Sequence, residues 1–451
     1  MTLQDYKLPS LKGYYKNSLC PAEVGGPRRQ KHARSPGLNI QPHETLGVVT
    51  RQLDRWKWVV GTIEADGKMF AYGCCIPIQS VHSYGWIEQI DPITLDPIKS
   101  SPKLKSGGHN WCGGAAIMAD GSIILGNGRY VHKLNLDLEV IGELELPTDH
   151  AHNGFTILSD GMGISRNLEV NQSKNSWFTV FDPATMKVVQ HFEFVGSSIG
   201  RFSVDEVDGV EYVYATTATH IHRLIYKNQQ LSLDTDWSAS YDLPGEDQSY
   251  AWCNCVGDDS VWFQDMGHNG FNQAIMSAYP VGSKDLDPRK IKFTLHYAPL
   301  RVFRVSTKDS SEVDVLTPFG DKAGQIGAPP LYVPDKKILV AFDTKNGKTG
   351  AWRYESPGQF SKLWEHKIRN SNQILYYPDT GEVILDDMLD NYTVDAVVVD
   401  IETGKEKARC NTGTMFAPYM VWVAGYHRDV YTGGGVNGTL VRIFVKDKIM
   451  A

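Results

Sequence analysis

One short phrase returns along the whole chain: a turn built on Asp-Gly or a close relative, followed by a short run rich in β-branched residues. It stands at Asp66-Gly67, Asp120-Gly121, Asp160-Gly161, Asp208-Gly209, Asp258-Asp259, Asp335-Lys336 and Asp379-Thr380-Gly381, with His427-Arg428-Asp429 as a degenerate last copy. Asp and Gly tolerate the positive backbone angles of a tight hairpin, and hairpins recurring every ~40 to 50 residues are the mark of propeller blades. Helical periodicity is hard to find anywhere. The expected fold is therefore all-β, a closed β-propeller of eight four-stranded blades, with seven as the alternative because the chain ends are the least regular part.

The repeat runs from about residue 46 to about residue 447 without a linker-like break, which implies one large domain. Residues 1–44, polar and broken by proline and glycine, read as an extended N-terminal arm lying across the ring, and 45–451 as a single propeller. The first blade is expected over 46–105 and the last over 414–447. Arg28, Arg29, Lys31 and Arg34 form a basic cluster in the arm, expected to be solvated.

A hydrophobic share of 41%, with 21 Tyr and 11 Trp, is ample core for a ring of sheets. The formal net charge of -7 argues against nucleic acid or an anionic membrane as partner. No apolar stretch approaches a membrane span, and MTLQDYKLPSLKGYY has no signal-peptide core, so the expected location is cytoplasmic. Seven cysteines fit free thiols in a reducing compartment, and their spacings match no zinc ribbon.

Further turns, Asp91-Pro92-Ile93-Thr94, Asp182-Pro183-Ala184-Thr185 and Asp400-Ile401-Glu402-Thr403-Gly404-Lys405, preset type I geometry between outer strands. At these residues the chain resembles the repeats of quinoprotein-like eight-bladed propellers, over most of its length and at the level of blade pattern. Such propellers include alcohol dehydrogenases that use pyrroloquinoline quinone, and Cys74-Cys75 is similar to the vicinal disulfide those enzymes place over the quinone. The chain departs from them in their repeated Gly-Lys-x-x-Trp motif, which only Thr403-Gly404-Lys405 echoes, without a following tryptophan. Cys74 and Cys75 are expected to be reduced. Kelch, Trp-Asp and Asp-box signatures are missing, as are a P-loop, a Rossmann fingerprint and a Gly-x-Ser-x-Gly elbow.

In an up-and-down blade the first strand starts, and the second ends, at the same face of the ring. Residues at these two positions therefore share one mouth. Strand starts bring His109, Asn110, Trp111, His150, His152, Asn153, Arg201, Tyr250 and Trp252 there, and second-strand ends bring Arg166, Asp265 and His268. Imidazole titrates near neutrality, so His152, His109 and His268, with Asp265, are the candidate acid–base groups. His152 is expected to face the channel with few core contacts. Arg166 or Arg201 would hold a substrate carboxylate, Trp111, Tyr250 and Trp252 would form the walls, and Asn110 and Asn153 would contact the substrate. His-Asn-Gly, at His152 and His268, is equally favourable loop chemistry.

No cofactor is expected from these motifs. A divalent metal stays open, because His150 and His152, like His220 and His222, are spaced to share a strand face, and Asp386, Asp387, Asp390 and Asp395 could suit calcium or form a solvated blade edge. The functional expectation is a small-molecule enzyme, a lyase or hydrolase using histidine acid–base chemistry. A non-catalytic binding or scaffold propeller is the alternative, and a metal- or quinone-dependent oxidoreductase the further one. Oligomeric state is not written in the sequence.

Overall fold

A computed structural model of the chain describes residues 14–54, 57–75, 83–109, 111–169, 173–241, 251, 253–265, 299–324, 328–415, 421–434 and 438–448. Within them the Asp-Gly phrases do what their chemistry dictates. Ala65 pairs with Lys68 across Asp66-Gly67, Val207 with Val210 across Asp208-Gly209, and Gly257 with Ser260 across Asp258-Asp259. Asp66, Asp208 and Asp258 sit at φ 51°, 52° and 51°, the left-handed region that a two-residue hairpin requires.

Eight four-stranded antiparallel sheets result. Seven are continuous in sequence, over 57–100, 112–145, 152–194, 203–240, 254–316, 331–366 and 375–415, and are numbered here as blades one to seven. First strands touch first strands of the next blade, as Lys57–Ala65 touches Cys112–Ile117 and Cys112–Ile117 touches His152–Ile157, so they ring the axis. Apolar side chains such as Phe70, Ile87, Ile123 and Leu125 are wholly buried between neighbouring blades, each worth roughly 1.5–3 kcal/mol. No α-helix occurs among the described residues, and none of their helices is long and apolar enough to cross a membrane.

The eighth blade is composite. Val423–Ala424, Asp429–Gly434 and Thr439–Asp447 supply three strands, and Glu44–Gln52 adds the outermost, pairing from Glu44 with Asp447 to Gln52 with Thr439. The stretch from Leu46 was expected to open the first blade; it closes the last. Its pattern suits any outer strand, and strand order alone does not say which neighbour it will pair with.

Residues 14–43 run along the face that carries the Asp-Gly turns and bond to every blade. The arm meets blade one through Leu19 N–H to Glu64 (2.8 Å), blade two through Lys16 N–H to the Ile117 carbonyl (3.0 Å), and blade three through the Tyr15 hydroxyl, which accepts from Ile157 N–H (2.9 Å). Carbonyls of Pro27 and Arg28 accept from Val204 (2.8 Å) and Val256 (3.0 Å) of blades four and five. Lys31 Nζ donates to the Pro330 carbonyl beside blade six (2.6 Å), Ala33 N–H to Tyr376 of blade seven (2.7 Å), and Arg428 of blade eight to the Leu38 carbonyl (2.8 Å). The basic cluster is thus not solvated. Arg29, Lys31 and Arg34 are buried, and half-buried Arg28 pairs with Asp205 at 2.5 Å. Local composition suggested a solvated cluster, but Arg28 and Lys31 find ring acceptors in Asp205 and the Pro330 carbonyl, while Arg29 and Arg34 bond to Glu23, Ser18 and Asn17 within the arm.

Candidate functional site: the mouth opposite the arm

With one face covered by the arm, the strand starts and second-strand ends lie on the other, as the blade topology requires. His109 precedes Cys112–Ile117, His152 and Asn153 open His152–Ile157, Arg201 precedes Ser203–Val207, Arg166 lies on Gly163–Asn167 and Asp265 follows Ser260–Gln264. His268, Asn110, Tyr250 and Trp252 lie outside the described residues.

The structure brings Trp111, Asn153 and Arg201 together. Asn153 Oδ1 accepts from Trp111 Nε1 (2.9 Å) and from Arg201 Nε (3.0 Å), while its Nδ2 donates to the Ile199 carbonyl (2.6 Å). A bulge between His152 and Phe155 turns the chain here, with Gly154 at φ +83° against the Arg201 side chain; a Cβ on Gly154 would meet Arg201 Cγ at 3.0 Å. That is why glycine follows His-Asn. Arg201 is already paired with a carboxylate from its own chain, Glu23 of the arm, which also accepts from Arg29 (3.1 Å) and Gln373 (3.3 Å). Trp111, Asn153, Arg201 and Glu23 therefore form one hydrogen-bonded line from the mouth to the arm.

The other candidates separate. Asp265 is fully buried and accepts from the backbone (2.9 Å) and guanidinium (2.7 Å) of Arg301. Arg166 is equally buried and donates to the Gly200 carbonyl. His152 corrects the expectation of a channel-facing ring of near-neutral pKa. It is 3% exposed, its Nδ1 faces Ser165 Oγ at 3.3 Å, and burial pulls its pKa down to about 3. His109 is buried too, with Nε2 3.0 Å from Asp149, which Arg129 also meets at 3.1 Å. Burial lowers the His109 pKa against the opposing pull of Asp149.

A cleft of about 420 Å³ opens beside this pair on blade three, with Thr148, His150, Glu169, Lys174, Trp177 and Glu193 in its wall. His150 and Glu169 approach to 3.6 Å, an ion-pair distance longer than a good hydrogen bond. Trp177 is clamped on one side by His191, the rings stacked at 4.5 Å and 8°. Thr148 and Thr179 hydroxyls lie 3.4 and 3.1 Å from the two nitrogens of His191. Trp177 and Glu193 escaped the sequence reasoning, which considered only the first two strands. Third strands start and fourth strands end at the same face, and Trp177 and Glu193 occupy those positions in blade three.

The residues weighed as metal ligands or quinone neighbours lie apart. Among the described residues three ligating groups converge only at His43, Glu44 and Asp447, at the blade-eight edge on the arm side, where Arg428 already grips Glu44. Asp386 belongs to no solvated edge: it is fully buried, accepts from Ser371 and Asn372 N–H, and burial lifts its pKa to about 6. Asp387 and Asp395 share Arg409, at 2.8 and 3.3 Å. Cys74 and Cys75 are separate thiols rather than a disulfide, and Arg201 and Glu23 are paired with each other.

No protein-family model matches the chain, and no curated protein matches it in sequence. Solved structures do match in fold. The quinohemoprotein alcohol dehydrogenase ADHIIG from Pseudomonas putida HK5 is 9% identical, with a TM-score of 0.62 over 97% of this chain and 81% of that one. BamB from Moraxella catarrhalis is 12% identical, with a TM-score of 0.54 over 88% of this chain and 99% of that one. The Dos1 propeller is 9% identical, with a TM-score of 0.55 over 92% and 97%. At such identities the likeness concerns the fold alone, and it agrees with the quinoprotein-like, eight-bladed resemblance of the repeats.

Proposed function

We propose that this chain is a small-molecule-binding propeller whose ligand occupies the blade-three cleft, with His150 and Glu169 as the acid–base pair of a lyase- or hydrolase-type reaction. The observation that carries this reading is the cleft itself: a half-exposed imidazole beside a buried carboxylate, in the wall of a cavity of about 420 Å³ on the face the arm leaves open. The arm supports it by covering the other face. Native mass spectrometry and thermal-shift screening of small carboxylates, sugars and amines would identify ligands, and turnover of a hit would be followed directly. His150→Ala should cost ~100-fold to 10,000-fold in rate while leaving the melting temperature near that of the parent.

One observation favours a second reading, a non-catalytic binding propeller. Arg201 and Asp265, the groups best suited to grip a substrate ion, are already paired with Glu23 and Arg301. A ligand that binds the cleft, is never converted, and loses affinity in His150→Ala would decide for that alternative.

A further inference from the structure

We infer that the blade-three cleft takes a neutral sugar, stacked on Trp177, an inference that rests on the cleft being the ligand site. A pyranose has apolar C–H faces and a rim of hydroxyls, so it fits a flat aromatic wall edged by mixed donors and acceptors. Trp177 is such a wall, and it is pre-set. His191 covers one indole face, fixed in turn by Thr148 and Thr179, so that a ligand stacks on the other without first ordering the ring.

The charges around the cleft decide against an anion. Glu169 and Glu193 carry two negative charges against the single positive charge of Lys174, so an anion would meet more like charge than opposite. His191 adds none, because burial lowers its pKa and keeps the stacked ring neutral. What the wall offers instead is a ring of hydrogen-bonding groups suited to hydroxyls, among them the Thr148 hydroxyl and the Glu193 carboxylate, which Asn175 steadies at 3.1 Å.

The test is saturation-transfer NMR on the full chain with a panel of methyl glycosides and disaccharides, with tetramethylammonium and benzoate as charged comparators. The expected result is that a sugar binds, with saturation strongest on the C–H groups of one ring face. Trp177→Ala should weaken it at least tenfold, Trp177→Phe less, and Glu193→Gln, at an exposed side chain, should weaken it without touching the fold. Binding of tetramethylammonium or benzoate in place of sugars, lost in Trp177→Ala, would overturn the sugar assignment while keeping the cleft as the ligand site. Sugar binding indifferent to Trp177→Ala and Glu193→Gln in folded protein would overturn it as well. If no probe of any class binds, the inference and the proposed function fall together.

Discussion

His152 and Glu23 show how burial decides a residue's role. His152 carries the signs of an acid–base group in sequence, yet its ring is enclosed, beside Ser165 and the buried Arg166. His152→Ala should therefore destabilise the ring by ~1–3 kcal/mol, measured by urea unfolding. The same burial sets a pH dependence. His152, His32 and His222 titrate at about 3, 4 and 4 in the folded chain, against an ordinary 6.5. Below pH ~6.5 the unfolded chain takes up protons that the fold refuses, so stability should fall as pH falls toward 4, by ~1.4 kcal/mol per unit for each such proton. Asp386, lifted to about 6, pulls the other way, its contribution fading as pH rises from ~4 to 6, and burial raises Glu211 as well, but His132, lowered to about 4, joins the three imidazoles on the opposing side. His152→Gln should make the acid limb of a melting-temperature profile shallower, and an unchanged slope would mean that His152 titrates normally. Glu23 is buried against Arg29 and Arg201, so Glu23→Gln leaves two guanidinium groups without their carboxylate and should cost ~3–5 kcal/mol. The exposed pair of Lys308 and Asp259 is the control: Lys308→Ala should leave the unfolding midpoint nearly where it was.

Among the elements, the strand Glu44–Gln52 has the largest mechanical task, because it ties the start of the chain to its end. Leu46, 5% exposed, anchors it in the core between blades seven and eight, so Leu46→Ala should cost ~2–4 kcal/mol and show first as faster hydrogen exchange along Thr439–Asp447. Exchange that rises first in another blade would place the weak point elsewhere. The hairpins were legible because a left-handed angle at Asp66 or Asp208 leaves a mark in composition. The membership of Glu44–Gln52 was not, since pairing across almost four hundred residues leaves no local trace. The mouth was legible by the same topology that makes the hairpins: Trp111, Asn153 and Arg201 meet there. Burial was the missing information for His152 and Asp265, because a polar residue at a strand start looks alike whether it faces solvent or completes an internal hydrogen bond.

For the whole molecule, the arm turns an open ring into one with a covered face. Innermost strands present N–H groups toward the axis that their own sheets do not use, and the arm supplies the acceptors. Glu64 N–H donates to the Cys20 carbonyl at 2.9 Å, Ile117 to Pro21 at 2.7 Å, Val204 to Pro27 at 2.8 Å, Val256 to Arg28 at 3.0 Å and Tyr376 to Lys31 at 3.0 Å. These amides belong to five blades but share one cover, so in the intact chain their hydrogen exchange should be slow and should report a single opening of the arm. Glu23 lies among the acceptors and is tied to blades through Arg201 and Gln373. Glu23→Gln should then speed all five together, by about tenfold for every 1.4 kcal/mol by which it loosens the arm, while amides of outer strands such as Lys187–Phe194 change only as far as global stability does. If Val204 and Val256 responded while Glu64 and Tyr376 did not, the arm would be a set of independent contacts. A common response makes it one cooperative element, which leaves the opposite face of the ring, with the blade-three cleft, as the side open to the proposed ligand.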